Sequence, residues 1–280
     1  MMPTEDSKPQ WGASYRLIAA EKWKTKSAAM GRAATEALVE YAGPQPGMNI
    51  LDLATGTGEL GISLAGIVGP EGRVTAVDLS AELLEIALQR ARQRELSNFI
   101  ARQADAEALP FPENSFDLAT CRFGVMFFVD TNKALKEVRR VLRPEARACF
   151  LAWGPFEQPY WSSSMGVVVK HAGGPAIAAA SESPFKFAAA GTLSTALRES
   201  GFVDVKEETR TVCWSWPGSV EEVWEYLQSV SVPFRPLLGR VPSDKWDEVN
   251  ADVYAAMRKY CRGEAVDFGA VVVLASGKKP

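Results

Sequence analysis

The chain has 280 residues, of which 47% are hydrophobic and 23% are charged. This is the composition of a globular protein, long enough for one large α/β domain or for a domain with a sizeable insertion. The net charge of −3 and the dispersed Lys and Arg residues exclude the basic surface that a nucleic-acid-binding protein presents.

No apolar run approaches the roughly 20 residues of a membrane span, and the polar N terminus does not resemble a signal peptide. We therefore predict a cytoplasmic protein in which residues 1–10 form a disordered tail. The four cysteines lack metal-binding spacing, and we interpret them as small buried residues in a reducing compartment. His171 is the sole histidine, so the sequence predicts no metal site.

Strands and helices alternate along the first half of the chain. A helix over residues 27–41 is followed by a strand that ends near Leu53 and by a helix that ends near Val68. Helices are also predicted to begin near Ser80 and Thr131. Alternation of this kind implies right-handed crossovers and a parallel sheet. The later strands of this half are predicted at residues 73–78, 98–103, 116–121 and 147–153.

The pattern changes after Trp153. Residues 154–190 and 214–262 contain many aromatic side chains, and we predict that they are insertions forming a partial cap that binds the acceptor. We expect one domain over residues 1–280. Its remaining elements are a helix at 192–200, a strand at 203–214, a helix opened by a capping box at Ser219 and a final strand at 267–276.

The most informative stretch runs from Ile50 to Leu60. It has the pattern of a buried strand that contains Asp52, breaks into a glycine turn and continues as a helix. A glycine turn lets backbone approach a ligand closely, and the helix that follows presents free N–H groups. The stretch therefore predicts a site for a nucleotide-type cofactor.

Two cofactors are compatible with this turn. Gly56, Gly58 and Gly61 match G-x-G-x-x-G, and Asp78 ends the next strand. This is the dinucleotide fingerprint, so an NAD(P)-dependent oxidoreductase is one alternative. Asp52 favours another cofactor, because a carboxylate is repelled by a pyrophosphate but attracted by a sulfonium or ammonium group.

Two later segments support the second choice. Residues 104–111 place Asp105 and a backbone N–H where they can bind an adenine edge, and residues 116–124 end a strand in an aromatic residue. With these ordered motifs, residues 33–153 resemble the class I S-adenosylmethionine (SAM)-dependent methyltransferases. Ala54 stands where that family often has its first glycine.

Within this class, residues 117–144 are similar to the ubiquinone/menaquinone-biosynthesis C-methyltransferases, although Met126-Phe127 replaces their typical Arg-Asn. The resemblance implies a Rossmann-like, doubly wound α/β fold with a mostly parallel seven-stranded sheet and an antiparallel last strand. It implies SAM as cofactor and methyl transfer to carbon or oxygen of an apolar small molecule. We expect a monomer or homodimer that binds no nucleic acid.

The same resemblance implies the cofactor contacts. Gly56 and Gly58 are expected against the methionine part of SAM, and Asp52 is expected to contact its amino group directly or through water. Asp78 is expected to bind the ribose hydroxyls, and Asp105 the adenine amino group. The residues predicted to bind the cofactor are Asp52, Ala54, Thr55, Gly56, Gly58, Asp78, Leu79, Asp105, Ala106, Arg122 and Phe123.

Aromatic side chains of the insertions suit an apolar and planar acceptor, and an arginine suits an acceptor carboxylate. His171 is a candidate general base, and Tyr160 is a candidate hydrogen-bond donor. A non-catalytic SAM-binding protein with a filled acceptor cavity is a further alternative. The residues predicted to bind the acceptor are Arg122, Trp153, Trp161, Trp214 and Arg235.

Overall fold

The computed structural model describes residues 14–177 and 183–280, so the tail predicted at residues 1–10 lies outside the described part. Two helices precede the first strand, α1 (Ser14–Lys22) and α2 (Lys24–Ala42). Helix α2 ends at Gly43, whose φ of 62° gives the left-handed conformation that commonly terminates helices.

A seven-stranded sheet forms the centre of the molecule, in the spatial order β3-β2-β1-β4-β5-β10-β6. Strand β10 runs antiparallel to both of its neighbours. The predicted Rossmann-like fold with an antiparallel last strand is therefore confirmed. The strands are β1 (Asn49–Leu53), β2 (Arg73–Asp78), β3 (Phe99–Gln103), β4 (Phe116–Arg122), β5 (Leu142–Trp153), β6 (Val203–Val212), β7 (Ser215–Trp216), β8 (Cys261–Arg262), β9 (Ala265–Asp267) and β10 (Ala270–Lys278).

The helices that cross between strands begin at predicted signals. The Ser80 hydroxyl accepts from the Leu83 N–H, and the Ser219–Glu222 pair forms a complete capping box. Asp130 caps the helix predicted near Thr131. The remaining helices are α3 (Glu59–Val68), α4 (Ala81–Gln93), α5 (Thr131–Val141), α6 (Pro159–Ser162), α7 (Met165–Ala172), α8 (Thr192–Glu199), α9 (Val220–Val230), α10 (Arg235–Leu238) and α11 (Trp246–Arg258).

Strand β1 lies between β2 and β4, so the chain leaves it toward β2 and later crosses back to β4. Leu51 and Leu53 on β1 are fully buried, as expected where helices cover both faces of a parallel sheet. The reversal of strand order opens a crevice at the carboxyl ends of β1 and β4, which is where such sheets bind ligands.

The two predicted insertions carry α6, α7 and α9 to α11, and α11 packs against α7 and α9. The final strand, predicted at residues 267–276, begins at Ala270 in the structure, and Asp267 belongs to a different strand. Residues 265–267 pair in a small sheet of order β7-β9-β8, and only the part from Ala270 joins the large sheet. In the described part of the chain, no helix is both long and apolar enough to cross a bilayer.

The prediction of four buried cysteines is wrong for two of them. Cys121 and Cys149 are buried, whereas Cys213 and Cys261 are exposed. The buried pair lies on the central strands β4 and β5, where burial raises the pKa of Cys149 to about 12. Cys213 directly follows β6, and Cys261 lies in β8, whose two residues are both exposed.

Candidate functional site

A cavity lies at the carboxyl ends of β1, β2 and β4, and we call it the cofactor cavity. It brings together seven of the predicted cofactor residues, although they come from four separate segments of the chain. These residues are Ala54, Gly56, Asp78, Leu79, Asp105, Ala106 and Phe123.

The glycines of the turn have different structural roles. Gly56 has a φ of 57°, and a Cβ on it would meet no atom within 4 Å, so its backbone is open to a ligand. Gly58 has a φ of 87°, and its Cβ would lie 2.9 Å from the Cβ of Ala87 on α4. Gly58 lets α3 pack on α4 and lies outside the lining of the cofactor cavity. The structure thus gives Gly58 a packing role, and its contact with the cofactor stays a prediction.

Three carboxylates line the cofactor cavity, those of Asp78, Asp105 and Glu107. Asp78 accepts hydrogen bonds from the backbone N–H of Gly56 at 2.8 Å and of Ser80 at 3.0 Å. The Oδ1 of Asp105 accepts from the N–H of Glu107 at 3.0 Å. A carboxylate offers about four acceptor positions, so both aspartate side chains retain capacity for ligand hydroxyl or amino groups.

Asp52 lies beneath the turn and is only 1% exposed. Its carboxylate accepts from the hydroxyls of Thr120 at 2.9 Å and Thr55 at 2.6 Å. Burial raises the pKa of Asp52 to about 6, against the opposing effect of these hydrogen bonds. Asp52 therefore supports the turn from beneath and lies outside the lining of both cavities, and its contact with the amino group of SAM, directly or through water, stays a prediction.

Two residues of the cofactor cavity have left-handed backbone conformations without being glycine. Ala54, at the end of β1, has a φ of 50°, and Phe123, at the end of β4, has a φ of 56°. Such conformations cost of order 1–3 kcal/mol each and concentrate at functional sites. At Ala54, the strain explains why a glycine is common at this position in the family that the sequence resembles.

A second cavity, here called the acceptor cavity, adjoins the first. The two share wall residues of the glycine turn and of the segment after β4, among them Gly56, Phe123 and Phe127. The side chains predicted from the insertions meet here. The aromatic residues of its wall include Phe123, Trp153, Tyr160, Trp161, Trp214 and Phe234.

These aromatic rings pack against one another and fix the wall of the acceptor cavity. The ring of Phe123 stacks on Trp153 with centroids 4.4 Å apart. Trp153 meets the edge of Trp214 at 4.9 Å, and Trp161 stacks on Phe234 at 5.1 Å. Contacts of this geometry stabilise aromatic clusters, so the wall is rigid, apolar and suited to a flat ligand.

An ion pair forms the polar side of the acceptor cavity. The Nη1 of Arg122 donates to the Thr35 hydroxyl at 2.7 Å, and its Nη2 lies 3.9 Å from Glu59, which also pairs with Arg90 at 2.5 Å. Burial alone raises the pKa of Glu59, but Arg122 and Arg90 outweigh it and lower the pKa. Sequence reasoning missed Glu59, although an acid in the first turn of a helix is a recognisable signal.

Two predicted acceptor-side residues lie elsewhere. His171 on α7 is 2.9 Å from Asp252 on α11 and lines a shallow surface depression with Lys170. Arg235 is exposed at the start of α10 and lies outside the acceptor cavity lining. The structure therefore brings neither residue to the acceptor cavity.

Tyr160 does line the acceptor cavity and is 2% exposed. Burial raises the pKa of Tyr160 well above its usual range, so its hydroxyl stays protonated. Over residues 14–177 and 183–280, no group of His, Cys, Asp or Glu side chains is arranged to hold a metal ion.

Solved structures share this fold at low sequence identity. The YcgJ protein from Bacillus subtilis matches with a TM-score of 0.58 and 20% identity, over 88% of this chain and 97% of that one. A SAM-dependent methyltransferase from Aquifex aeolicus matches with a TM-score of 0.51 and 21% identity, over 69% of this chain and 90% of that one.

Sequence relatives are closer over a shorter stretch. The ubiquinone/menaquinone biosynthesis C-methyltransferase UbiE of Shewanella sediminis is 40% identical over 114 residues, which are 40% of this chain and 45% of that protein. The match thus spans less than half the length of the curated relative. The model of the ubiE/COQ5 methyltransferase family matches residues 27–214, from within α2 to Trp214 of the aromatic wall. The chain therefore belongs to the ubiE/COQ5 methyltransferase family, whose members are class I, SAM-dependent enzymes.

Proposed function

We propose that this chain transfers the methyl group of SAM to a carbon or oxygen atom of an apolar, planar small molecule. The observation that carries the proposal is the wall shared by the two cavities, because a cofactor and an acceptor bound side by side meet there. Methyl transfer requires this proximity and little else from the protein, since orientation can supply roughly 7–11 kcal/mol of a barrier.

The residues around the cofactor cavity fit SAM. The open Gly56 backbone suits the methionine part, and the Asp78 and Asp105 carboxylates suit the ribose hydroxyls and the adenine amino group. Leu79 and Phe123 supply apolar walls for the nucleoside. When bound, SAM supplies an activated methyl group with its own leaving group. Asp52 and Thr55 would contribute indirectly, by holding the turn.

The residues of the acceptor cavity would orient the acceptor and exclude water. Trp153, Trp161 and Trp214 would hold a planar ring, and Arg122 would bind a carboxylate or another anionic substituent. Phe127, which replaces the asparagine typical of the quinone enzymes, also lines this cavity. It supports an acceptor that offers an apolar edge at that point.

General-base catalysis by the described wall residues is not part of the proposal. Tyr160 stays protonated and can only donate or accept a hydrogen bond, and Glu59 is ionised but engaged by two arginines. His171 lies off the cavity. We therefore propose an acceptor whose own substituents activate its nucleophilic atom, such as a ring bearing hydroxyl groups.

The organisation of the molecule is proposed on the same basis. Residues 154–190 and 214–262 would be a cap that closes the acceptor cavity within one domain, since Tyr160, Trp161 and Trp214 reach the cavity from them. A cytoplasmic location, the absence of a nucleic-acid substrate and a monomeric or dimeric state complete the proposal.

Membership of the ubiE/COQ5 methyltransferase family argues against the alternative function of an NAD(P)-dependent oxidoreductase. A non-catalytic SAM-binding protein is the other alternative, and it requires a filled acceptor cavity. The open space between Trp161 and Trp214 supports a catalytic protein instead.

The first test is a calorimetric titration with S-adenosylhomocysteine and, in parallel, with NAD(H). We expect binding of S-adenosylhomocysteine alone. Incubation with methyl-labelled SAM and panels of quinols, phenols and aromatic carboxylates should then label an apolar aromatic acceptor. Binding of NAD(H) alone, or cofactor binding with no labelled product from any panel, would contradict the proposal.

A further inference from the structure

Lys186 is a half-buried cation of the insertion at 154–190 that no role in the site explains. Its Nζ donates to the backbone carbonyl of Phe128 at 3.2 Å and to the hydroxyl of Thr131 at 2.6 Å. Both acceptors belong to residues 123–131, the connection between β4 and α5, which we call the β4–α5 turn. Lys186 therefore joins the cap to the edge of the central sheet.

The β4–α5 turn is a wall of the cofactor cavity, which Phe127, Phe128 and Val129 line. A second fastening comes from the loop after β3, where Glu107 accepts from the backbone N–H of Asp130 at 3.0 Å. Two side chains from separate segments thus hold this wall. From the cap, Lys186 hydrogen-bonds to this wall at the backbone carbonyl of Phe128, a residue that lines the cavity.

The segment that carries Lys186 also closes the acceptor cavity. Pro184 lines that cavity, and the ring of Phe185 meets the edge of Trp161 at 5.5 Å. A tight turn fixes the segment, because the N–H of Lys186 donates to the carbonyl of Ser183 at 3.2 Å. Residues 183–187 therefore contact the walls of both cavities.

The electrostatic surroundings suit a cation at this place. Burial lowers the pKa of Lys186, and the carboxylates of Asp130 and Glu107 oppose that effect. A half-buried ammonium is tolerated when its hydrogen bonds are satisfied and opposite charges are near. An apolar residue of similar length would fill the space but leave the Phe128 carbonyl and the Thr131 hydroxyl without this donor.

We infer that Lys186 is a positioning residue for the nucleoside end of the cofactor. It holds the β4–α5 turn in the geometry that binds the nucleoside. One cap segment thereby organises both the cofactor cavity and the acceptor cavity. The inference rests on the proposed function, since it concerns the same cofactor.

The test is calorimetry on the full chain with two probes, S-adenosylhomocysteine and adenosine. Lys186→Met should weaken both by the same factor, about 3- to 30-fold, because both contain the nucleoside that the β4–α5 turn covers. Lys133→Met is the matched control, since it removes an exposed lysine from the first turn of α5. Its affinities should stay within about twofold of the parent protein.

Thr131→Val gives an independent arm should Lys186→Met fail to fold. It removes one acceptor of Lys186 and should weaken both probes in the same direction. In the double variant, the loss of binding free energy should be smaller than the sum of the losses in the two single variants, because both substitutions remove the same interaction.

The outcomes are distinguishable. A parent protein that does not bind S-adenosylhomocysteine would overturn the proposed function itself. A parent that binds it, with a Lys186→Met variant that melts at a lower temperature but keeps both affinities, would overturn this inference and leave a purely structural role. Loss of affinity for S-adenosylhomocysteine but not for adenosine would also overturn it.

Discussion

Asp78 has two structural partners and still faces the cofactor cavity. It holds the N–H of Gly56 and of Ser80 while its remaining acceptor positions are directed to the cavity surface. The residue thus shapes the glycine turn and offers charge to a ligand at the same point. This combination explains why an acid at the end of the second strand is so informative in the sequence.

We expect Asp78→Ala to weaken S-adenosylhomocysteine binding by roughly 1.5–3 kcal/mol, through the loss of hydrogen bonds to a charged group. Titration calorimetry measures this directly. Asp117→Ala is the control, because Asp117 holds the Asn49 N–H at the opposite end of the sheet. It should alter stability and leave the affinity unchanged. An unaltered affinity in folded Asp78→Ala would remove the basis of the cofactor assignment.

Asp52 makes stability depend on pH. Its folded-state pKa is about 6, whereas an unperturbed aspartate titrates at about 3.9. Between these values the folded state binds more protons than the unfolded state, so this contribution to stability falls as the pH rises. The shift corresponds to about 2–3 kcal/mol at roughly 1.4 kcal/mol per pKa unit.

Asp52→Asn should remove this dependence, because an amide keeps partners for Thr55 and Thr120 without the buried charge. Urea unfolding of both proteins at pH 4 and pH 7 tests this. The variant should gain stability relative to the parent as the pH rises. A difference between the two proteins that stays constant with pH would contradict the assignment.

At the scale of elements, helix α3 shows how one motif serves both ligand and packing. Gly56 opens the turn toward the cavity, whereas Gly58 allows α3 to approach Ala87 on α4. The G-x-G-x-x-G pattern therefore does not mean that every glycine touches the ligand. The close approach of two helices is a demand that the sequence pattern does not separate from ligand binding.

Gly58→Ala should destabilise the fold by roughly 2–4 kcal/mol, since it adds a close contact with Ala87 to a strained φ. Gly66, within α3, provides a control for which the opposite change in stability is expected. A Cβ on Gly66 would meet no atom within 4 Å, so Gly66→Ala should stabilise by roughly 0.5–1 kcal/mol. Chemical denaturation of both variants measures the free energy of unfolding. The same change in both variants would contradict this account of α3.

At the scale of the whole molecule, the cap joins segments that are distant in sequence. Trp161 and Trp214 meet around the acceptor cavity together with Phe123 from the central sheet. In the same cap, the side chain of His171 contacts Asp252 on α11 and lies outside the acceptor cavity. The chemistry of the cavity wall is thus decided by how the insertions fold over the sheet.

His171→Ala should leave methyl transfer within about twofold of the parent rate, because the side chain lies outside both cavities. Trp161→Ala is the comparison, and it should raise the KM of the acceptor by removing part of the aromatic wall. Initial rates with a labelled acceptor give both values. A loss of more than a hundredfold in His171→Ala would return the histidine to the mechanism.

The class of the sheet, the glycine turn and the acids near the ends of β1 and β2 are predictable from the amino-acid sequence alone. These follow from local patterns, namely buried strands, helix caps such as Ser80 and Ser219, and the backbone freedom of glycine. Each of these patterns lies within one short, contiguous stretch of the chain, so it can be recognised without knowledge of distant contacts.

Which candidate side chains line a cavity follows from the tertiary fold and could not be predicted from local sequence patterns. Asp52 is buried beneath the glycine turn. His171 and Arg235 lie outside the acceptor cavity, whereas Glu59 lines it together with Arg122. Whether a side chain reaches a cavity depends on the packing of elements far apart in the chain. Local sequence patterns do not encode that packing, which is also why Asp267 lies in the small second sheet and the predicted last strand joins the large sheet only from Ala270.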